Sequence, residues 1–270
     1  EKELILSQEE LVDVIKPAVP RVVVKAEGTV TVPAIKINLS NFTVTVDKSR
    51  RSKTVPLGDD FSVLTGSGFV VNSHGYLVTS SHVISDKILA VEPVLFSYLQ
   101  EWFAISISTS KAEEDRILRE KGEDGLEKFA KEVFFYMIDH ATFNVKKKIV
   151  VLNPHSKGEK LEDFIKDGFE AETVYVNDNF IRDGKDVALL KINLNNLPAL
   201  KIGASHGLAV GSEINILGFP SSADLGMGQN FLRSTFTQGV VSAVKDYKSL
   251  TGISEGDNFD VIQTDAKVSK

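Results

Sequence analysis

The chain has 270 residues, 42% of them hydrophobic, enough to bury one large core or two modest barrels. A formal net charge of -6 and a pI near 5.5 argue against a surface that tracks nucleic-acid phosphates. The absence of cysteine excludes a disulfide framework, a thiolate zinc site and a cysteine nucleophile.

The chain opens at Glu1 without methionine and without a basic-then-apolar leader, as a processed or trimmed product would. No apolar run reads as long enough to span a bilayer, so a membrane anchor is expected outside these residues. Ser7-Gln8-Glu9-Glu10 ahead of Leu11, Val12 and Ile15 predicts a short capped helix that Pro17 and Pro20 stop. Residues 1–20 therefore read as an N-terminal arm. From Arg21 the texture is β: Val22-Val23-Val24, Val30 to Ile37, and Phe42 to Val46, followed by a basic loop at Ser49 to Lys53. The triplets Asn38-Leu39-Ser40 and Asn41-Phe42-Thr43 match the glycosylation pattern, which short sequences often meet by chance.

A hairpin is predicted from Thr65–Val71 and Tyr76–Thr79, joined by Asn72-Ser73-His74-Gly75. Ser110 to His140 turns helical, with capping-box spacing at Ser110 and Glu113 and an apolar face of Leu126, Phe129, Val133 and Met137. A second short helix is predicted at Leu161–Lys166. Residues 91–172 are accordingly expected to be an insertion, with Lys146-Lys147-Lys148 as a solvated turn or strand end. Later strands are expected at Thr173–Val176, Val187–Ile192, Glu213–Leu217, Phe231–Val244 with a break near Gly239, and Phe259–Thr264. Many short strands at irregular spacing point to a sandwich or barrels.

Acyl transfer to a hydroxyl needs an imidazole to move its proton and a carboxylate to fix the imidazole's tautomer. Leu77-Val78-Thr79-Ser80-Ser81-His82-Val83-Ile84 sets His82 directly after a buried strand, where the chain turns. Gly184-Lys185-Asp186-Val187-Ala188-Leu189-Leu190-Lys191-Ile192 sets Asp186 just ahead of a strand apolar on both faces, where an unpartnered carboxylate is costly. His82 is a natural partner. Spacing alone also allows Asp186 to cap a turn with Asp183 and Gly184, and His82 to be a loop histidine.

The stretch from Thr65-Gly66-Ser67-Gly68 through Thr79-Ser80-Ser81-His82 resembles the histidine motif of bacterial HtrA-type serine proteases. Asp186-Val187-Ala188-Leu189-Leu190 resembles their aspartate motif. Gly211 to Pro220, Gly239-Val240-Val241-Ser242-Ala243, and Val261-Ile262-Gln263-Thr264-Asp265-Ala266 resemble the next three landmarks, in the family's order.

The resemblance implies an all-β fold of two Greek-key β-barrels, the trypsin-like serine protease fold. The first barrel would span 21–195 with a helical insertion, and the second, incomplete, 196–270. It implies a serine endopeptidase in which His82 is general base and acid and Asp186 its orienting partner, with no metal or organic cofactor. The nucleophilic serine and the oxyanion-hole amides are expected beyond Lys270. Ser269 sits too near Asp265 and lacks flanking glycines. The family context implies polypeptide substrates, unfolded proteins in particular, in quality control outside the bacterial cytoplasm. It also implies homo-oligomers of three or more copies, PDZ domains after the protease domain, and no nucleic-acid partner. The insertion is expected to serve regulation, oligomer contacts or gating. The rival reading is a protease-derived chaperone or peptide-binding module without catalysis. His74, His140, His155 and His206 read as solvated and Trp102 and Phe103 as core of the insertion. Gly66-Ser67-Gly68 reads as close backbone packing, since no lysine-serine or helix start follows to make it a phosphate cradle.

Overall fold

A computed structural model describes residues 7–58, 63–157, 160–219, 232–246 and 259–266. The chain runs α1 (Gln8–Ile15), β1 (Arg21–Val32), β2 (Ile35–Asn38), β3 (Thr43–Val46), β4 (Lys53–Pro56), β5 (Val63–Val70), β6 (Tyr76–Thr79) and α2 (Ser81–Ile84). It continues with α3 (Lys87–Ser108), α4 (Lys111–Asp139), β7 (Thr142–Val151), α5 (Leu161–Asp167), β8 (Phe169–Val176) and α6 (Phe180–Asp183). The last strands are β9 (Ala188–Ile192), β10 (Glu213–Gly218), β11 (Thr235–Asp246) and β12 (Asp260–Thr264). These elements divide into two compact units, one of Glu1–Lys25, Val63–Ser85 and Lys148–Lys270, the other of Ala26–Ser62 and Asp86–Lys147.

In the first unit, α1 carries the predicted capping box: Ser7 Oγ accepts from Glu10 N at 3.3 Å, and Ser7 N donates to Glu10 Oε2 at 2.8 Å. Strands β1, β5, β6, β9, β8 and β7 follow one another in a sheet that the β1–β7 pairing closes into a barrel. Its interior is Val22, Val24, Val70, Leu77, Ala188, Leu190 and Ile192, the inward alternates of their strands, joined by Val83 and Ile84 of α2. Val22-Val23-Val24 reads as one apolar run because both faces of β1 are covered there. Val23 points away from the interior, onto Val150, Leu152 and Phe164 of α5. Beyond β9 in sequence, β10, β11 and β12 form a three-stranded antiparallel sheet. Strand β11 runs unbroken through Gly239, and its irregularity falls instead at a bulge between Val241 and Ala243. Gly239 has a different use: an added Cβ would lie 2.5 Å from the Ala266 amide nitrogen.

In the second unit, β2 and β3 pair as a hairpin, the far end of β1 pairs with β4, and α3 and α4 pack together. The stretch Val30 to Ile37, expected as one strand, is divided between β1 and β2 at Pro33, which has no N–H for a ladder. The basic loop at Ser49 to Lys53 leads into β4. The face predicted on α4 is present: Phe129, Val133 and Met137 are buried, and Phe42 stacks on Phe129 at 4.6 Å. Trp102 meets Phe129 edge-on, and Tyr98 meets Phe134 in the same way, which makes the aromatic core expected of Trp102. Phe103 is exposed instead.

Within residues 91–172, expected as an insertion, β7 and β8 are strands of the barrel sheet, and the helices are α4, α5 and most of α3, which starts at Lys87. The lysine run lies inside β7, where Lys147 pairs with Asp86 at 2.7 Å. The expectation that no run spans a membrane meets one candidate among the described residues, α3. Over Lys87–Ser106 the helix has the length and composition to do so, at a mean hydropathy of 1.3.

Candidate active site

The sheet register brings the two singled-out residues together. Strands β6 and β9 are antiparallel neighbours with Thr79 opposite Ala188. His82 lies three residues past Thr79 and Asp186 two before Ala188, so both emerge at the same end of the strand pair. Strand β6 is tied to its other neighbour by Thr79 Oγ1, which donates to the Ser67 carbonyl at 2.9 Å.

His82 sits on the single turn of α2. Ser81, Val83 and Ile84 are buried around it, which fixes the backbone while the His82 side chain stays 49% exposed. The turn fits close to β5 because residue 66 is glycine: a Cβ there would stand 2.5 Å from Val83 Cγ2. This is the close packing expected of Gly66-Ser67-Gly68. Ser67 has a further role, accepting from Phe219 N at 2.7 Å.

Asp186 holds His82 at two points. Its Oδ1 accepts from the His82 backbone N–H at 2.8 Å, and its Oδ2 lies 2.5 Å from Nδ1. In the tautomer that carries its proton on Nδ1, that nitrogen donates to the carboxylate and Nε2 holds the lone pair. The Asp186 side chain is 34% exposed.

The loop ahead of Asp186 is held by Asp183. Asn177 Nδ2 donates to both Asp183 carboxylate oxygens at 3.0 Å and to the Lys185 carbonyl at 2.8 Å, and Lys185 N donates to Asp183 Oδ1 at 2.9 Å. Gly184 takes the left-handed conformation that ends α6, at φ 71°. The turn-capping role that spacing allowed for Asp186 thus belongs to Asp183, and Asp186 is left for His82.

Ser81 stitches the two segments together. Its Oγ donates to the Val187 carbonyl at 2.6 Å and accepts from Asn177 N at 3.0 Å. Nothing in the sequence separates Ser81 or Asn177 from ordinary loop polar residues. Only the β6–β9 register sets them beside the pair.

The remaining histidines lie apart. His74 is in the β5–β6 turn, where Asn72 Oδ1 accepts from His74 N at 2.9 Å and Gly75 has φ 89°. His140 stacks on Tyr136, and its Nδ1 lies 2.8 Å from the Tyr136 carbonyl. His155 is exposed in a turn. Among the described residues no cluster of His, Asp and Glu could hold a metal ion. Ser269 and the segment around it lie outside the described residues.

Residues 144–270 match the family model of the trypsin-like peptidase domain, a range that includes Asp186 and begins after His82. The match covers just under half of the chain, and the likeness to a trypsin-like peptidase domain holds for those residues. Among solved structures the chain is similar to the HtrA-type protease AlgW with decapeptide, at 20% identity and a TM-score of 0.43, covering 97% of this chain and 52% of that one. It is also similar to a variant of that protease with tripeptide, at 18% identity and a TM-score of 0.42, covering 97% and 46%. The chain spans about half the length of these structures.

Proposed function

We propose that the protein is a serine endopeptidase that hydrolyses polypeptides through an acyl-enzyme, with His82 as general base and acid and Asp186 as its orienting partner. The observation that carries this reading is the two-point hold of Asp186 on His82. A loop carboxylate that only capped its own turn would not also fix a ring nitrogen and the backbone of a residue 104 positions away.

Nε2 accepts the proton of a serine hydroxyl as its Oγ attacks the scissile carbonyl carbon. The imidazolium then returns that proton to the leaving amine as the C–N bond breaks, which leaves the acyl-enzyme. Water repeats the sequence: its proton passes to Nε2 and its oxygen to the acyl carbon, and the serine regains its hydrogen as the acid product departs. The Asp186 carboxylate stabilises the imidazolium. The motif resemblance assigns the serine and the oxyanion-hole amides to the stretch after Thr264-Asp265-Ala266. The same resemblance supports an HtrA-type enzyme acting on unfolded polypeptides in protein quality control outside the bacterial cytoplasm, as a trimer or larger assembly.

Hydrolysis of an unfolded polypeptide by the full-length protein tests the assignment. His82→Ala is expected to lower kcat/KM by roughly four to six orders of magnitude and Asp186→Asn by about four. An unchanged rate in either variant removes that residue from the mechanism. Peptide binding without hydrolysis by the unaltered protein would favour the catalytically inactive binding module.

A further inference from the structure

We propose that the exposed face of α3, with the basic loop beside it, docks on an anionic phospholipid membrane, the helix lying on the surface without crossing it. Leu95, Phe96, Leu99 and Phe103 are 44%, 54%, 57% and 69% exposed. At 100° per residue they occupy an arc of about 100° and a length of about 12 Å, one continuous apolar stripe. The other side of the helix is already used: Ala90 and Val94 are buried, and Tyr98 and Trp102 meet the aromatic rings of α4. A helix packed on its own protein along one side offers a membrane only the other, as a helix lying at the interface does.

Charge identifies the occupant. Lys48, Arg50, Arg51 and Lys53 are all exposed within six residues, and Asp47 is the acid of that loop. The loop is fastened to α3: Arg50 Nη1 and Nη2 donate to the two Glu101 carboxylate oxygens at 2.9 and 2.5 Å, and the Lys53 ammonium stands 4.2 Å from the centre of the Phe96 ring. Cations are thus held at the edge of the apolar stripe, the arrangement that meets acyl chains and anionic headgroups together. A second copy fits less well. Aromatic side chains present about 150–250 Å² each, so four partly exposed side chains offer on the order of 400 Å². A stable complex buries about 800 Å² on each partner.

The inference rests on α3 and its loop and is independent of the peptidase reading. The test is flotation of the full-length protein with vesicles of phosphatidylcholine alone or mixed with phosphatidylglycerol. The unaltered protein is expected to float with the mixed vesicles and at least ten-fold more weakly with phosphatidylcholine alone. Leu99→Glu/Phe103→Glu is expected to abolish flotation while retaining the circular dichroism of the unaltered protein. Arg51→Glu/Lys53→Glu is expected to remove the preference for the anionic lipid, at about five-fold per cation lost. Absence of flotation, or flotation unchanged in either variant, overturns the proposal. So does a sedimentation shift from dimer to monomer in Leu99→Glu/Phe103→Glu without vesicle binding, which would assign the stripe to a second copy. Hydrolysis of a soluble peptide is expected to be the same in both variants, which keeps this outcome separate from that of the catalytic assignment.

Discussion

Ser81 bears on the site more than its chemistry suggests. Its buried hydroxyl joins the segment that carries His82 to the one that carries Asp186, through the Val187 carbonyl and the Asn177 amide. In Ser81→Ala both backbone groups lose that partner, at a cost of about 1–3 kcal/mol for buried polar groups. Denaturant unfolding is expected to report that loss. The His82 Nδ1–H proton resonance should also move upfield as the 2.5 Å contact lengthens, whereas a purely structural role would leave it in place. His82 and Asp186 were legible from sequence because a motif surrounds each of them. Ser81 was not, since a serine after a strand reads as turn polarity, and its two partners lie 96 and 106 residues away. Asp183 and Asp186 were interchangeable on spacing, and only the hydrogen bonds of Asn177 tell them apart.

At the level of elements, α4 was legible and α3 was not, for a physical reason. The solvent side of α4 is charged, so its buried Phe129, Val133 and Met137 stand out at helical intervals. On α3 both sides are apolar, which erases the period that marks an amphipathic helix. Strand β7 was hidden by Lys146-Lys147-Lys148, whose charges mask the alternation ahead of the buried Ile149-Val150-Val151. The α3–α4 pair depends on the ring cluster around Phe129, so Phe129→Ala is expected to destabilise it by about 3–5 kcal/mol. Hydrogen exchange is expected to speed up across both helices while the β6 and β9 amides keep their protection. Equal acceleration in β6 and β9 would show that the helices and the barrel unfold as one.

At the scale of the molecule, both compact units are discontinuous in sequence, and β1 and β7 run from one into the other. This explains why the strand texture and the order of landmarks could be read while the division into units could not. A boundary that falls within a strand leaves no turn residue to mark it. The central claim is that Nε2 of His82, with Nδ1 held by Asp186, activates a serine. Labelling of the full-length protein by a fluorophosphonate probes that directly, because the reagent needs an activated hydroxyl and no particular substrate. The expected result is stoichiometric labelling of a single serine after Ala266, slowed by several orders of magnitude in His82→Ala. Labelling at the same rate in His82→Ala, or no labelling of the unaltered protein, would contradict the account.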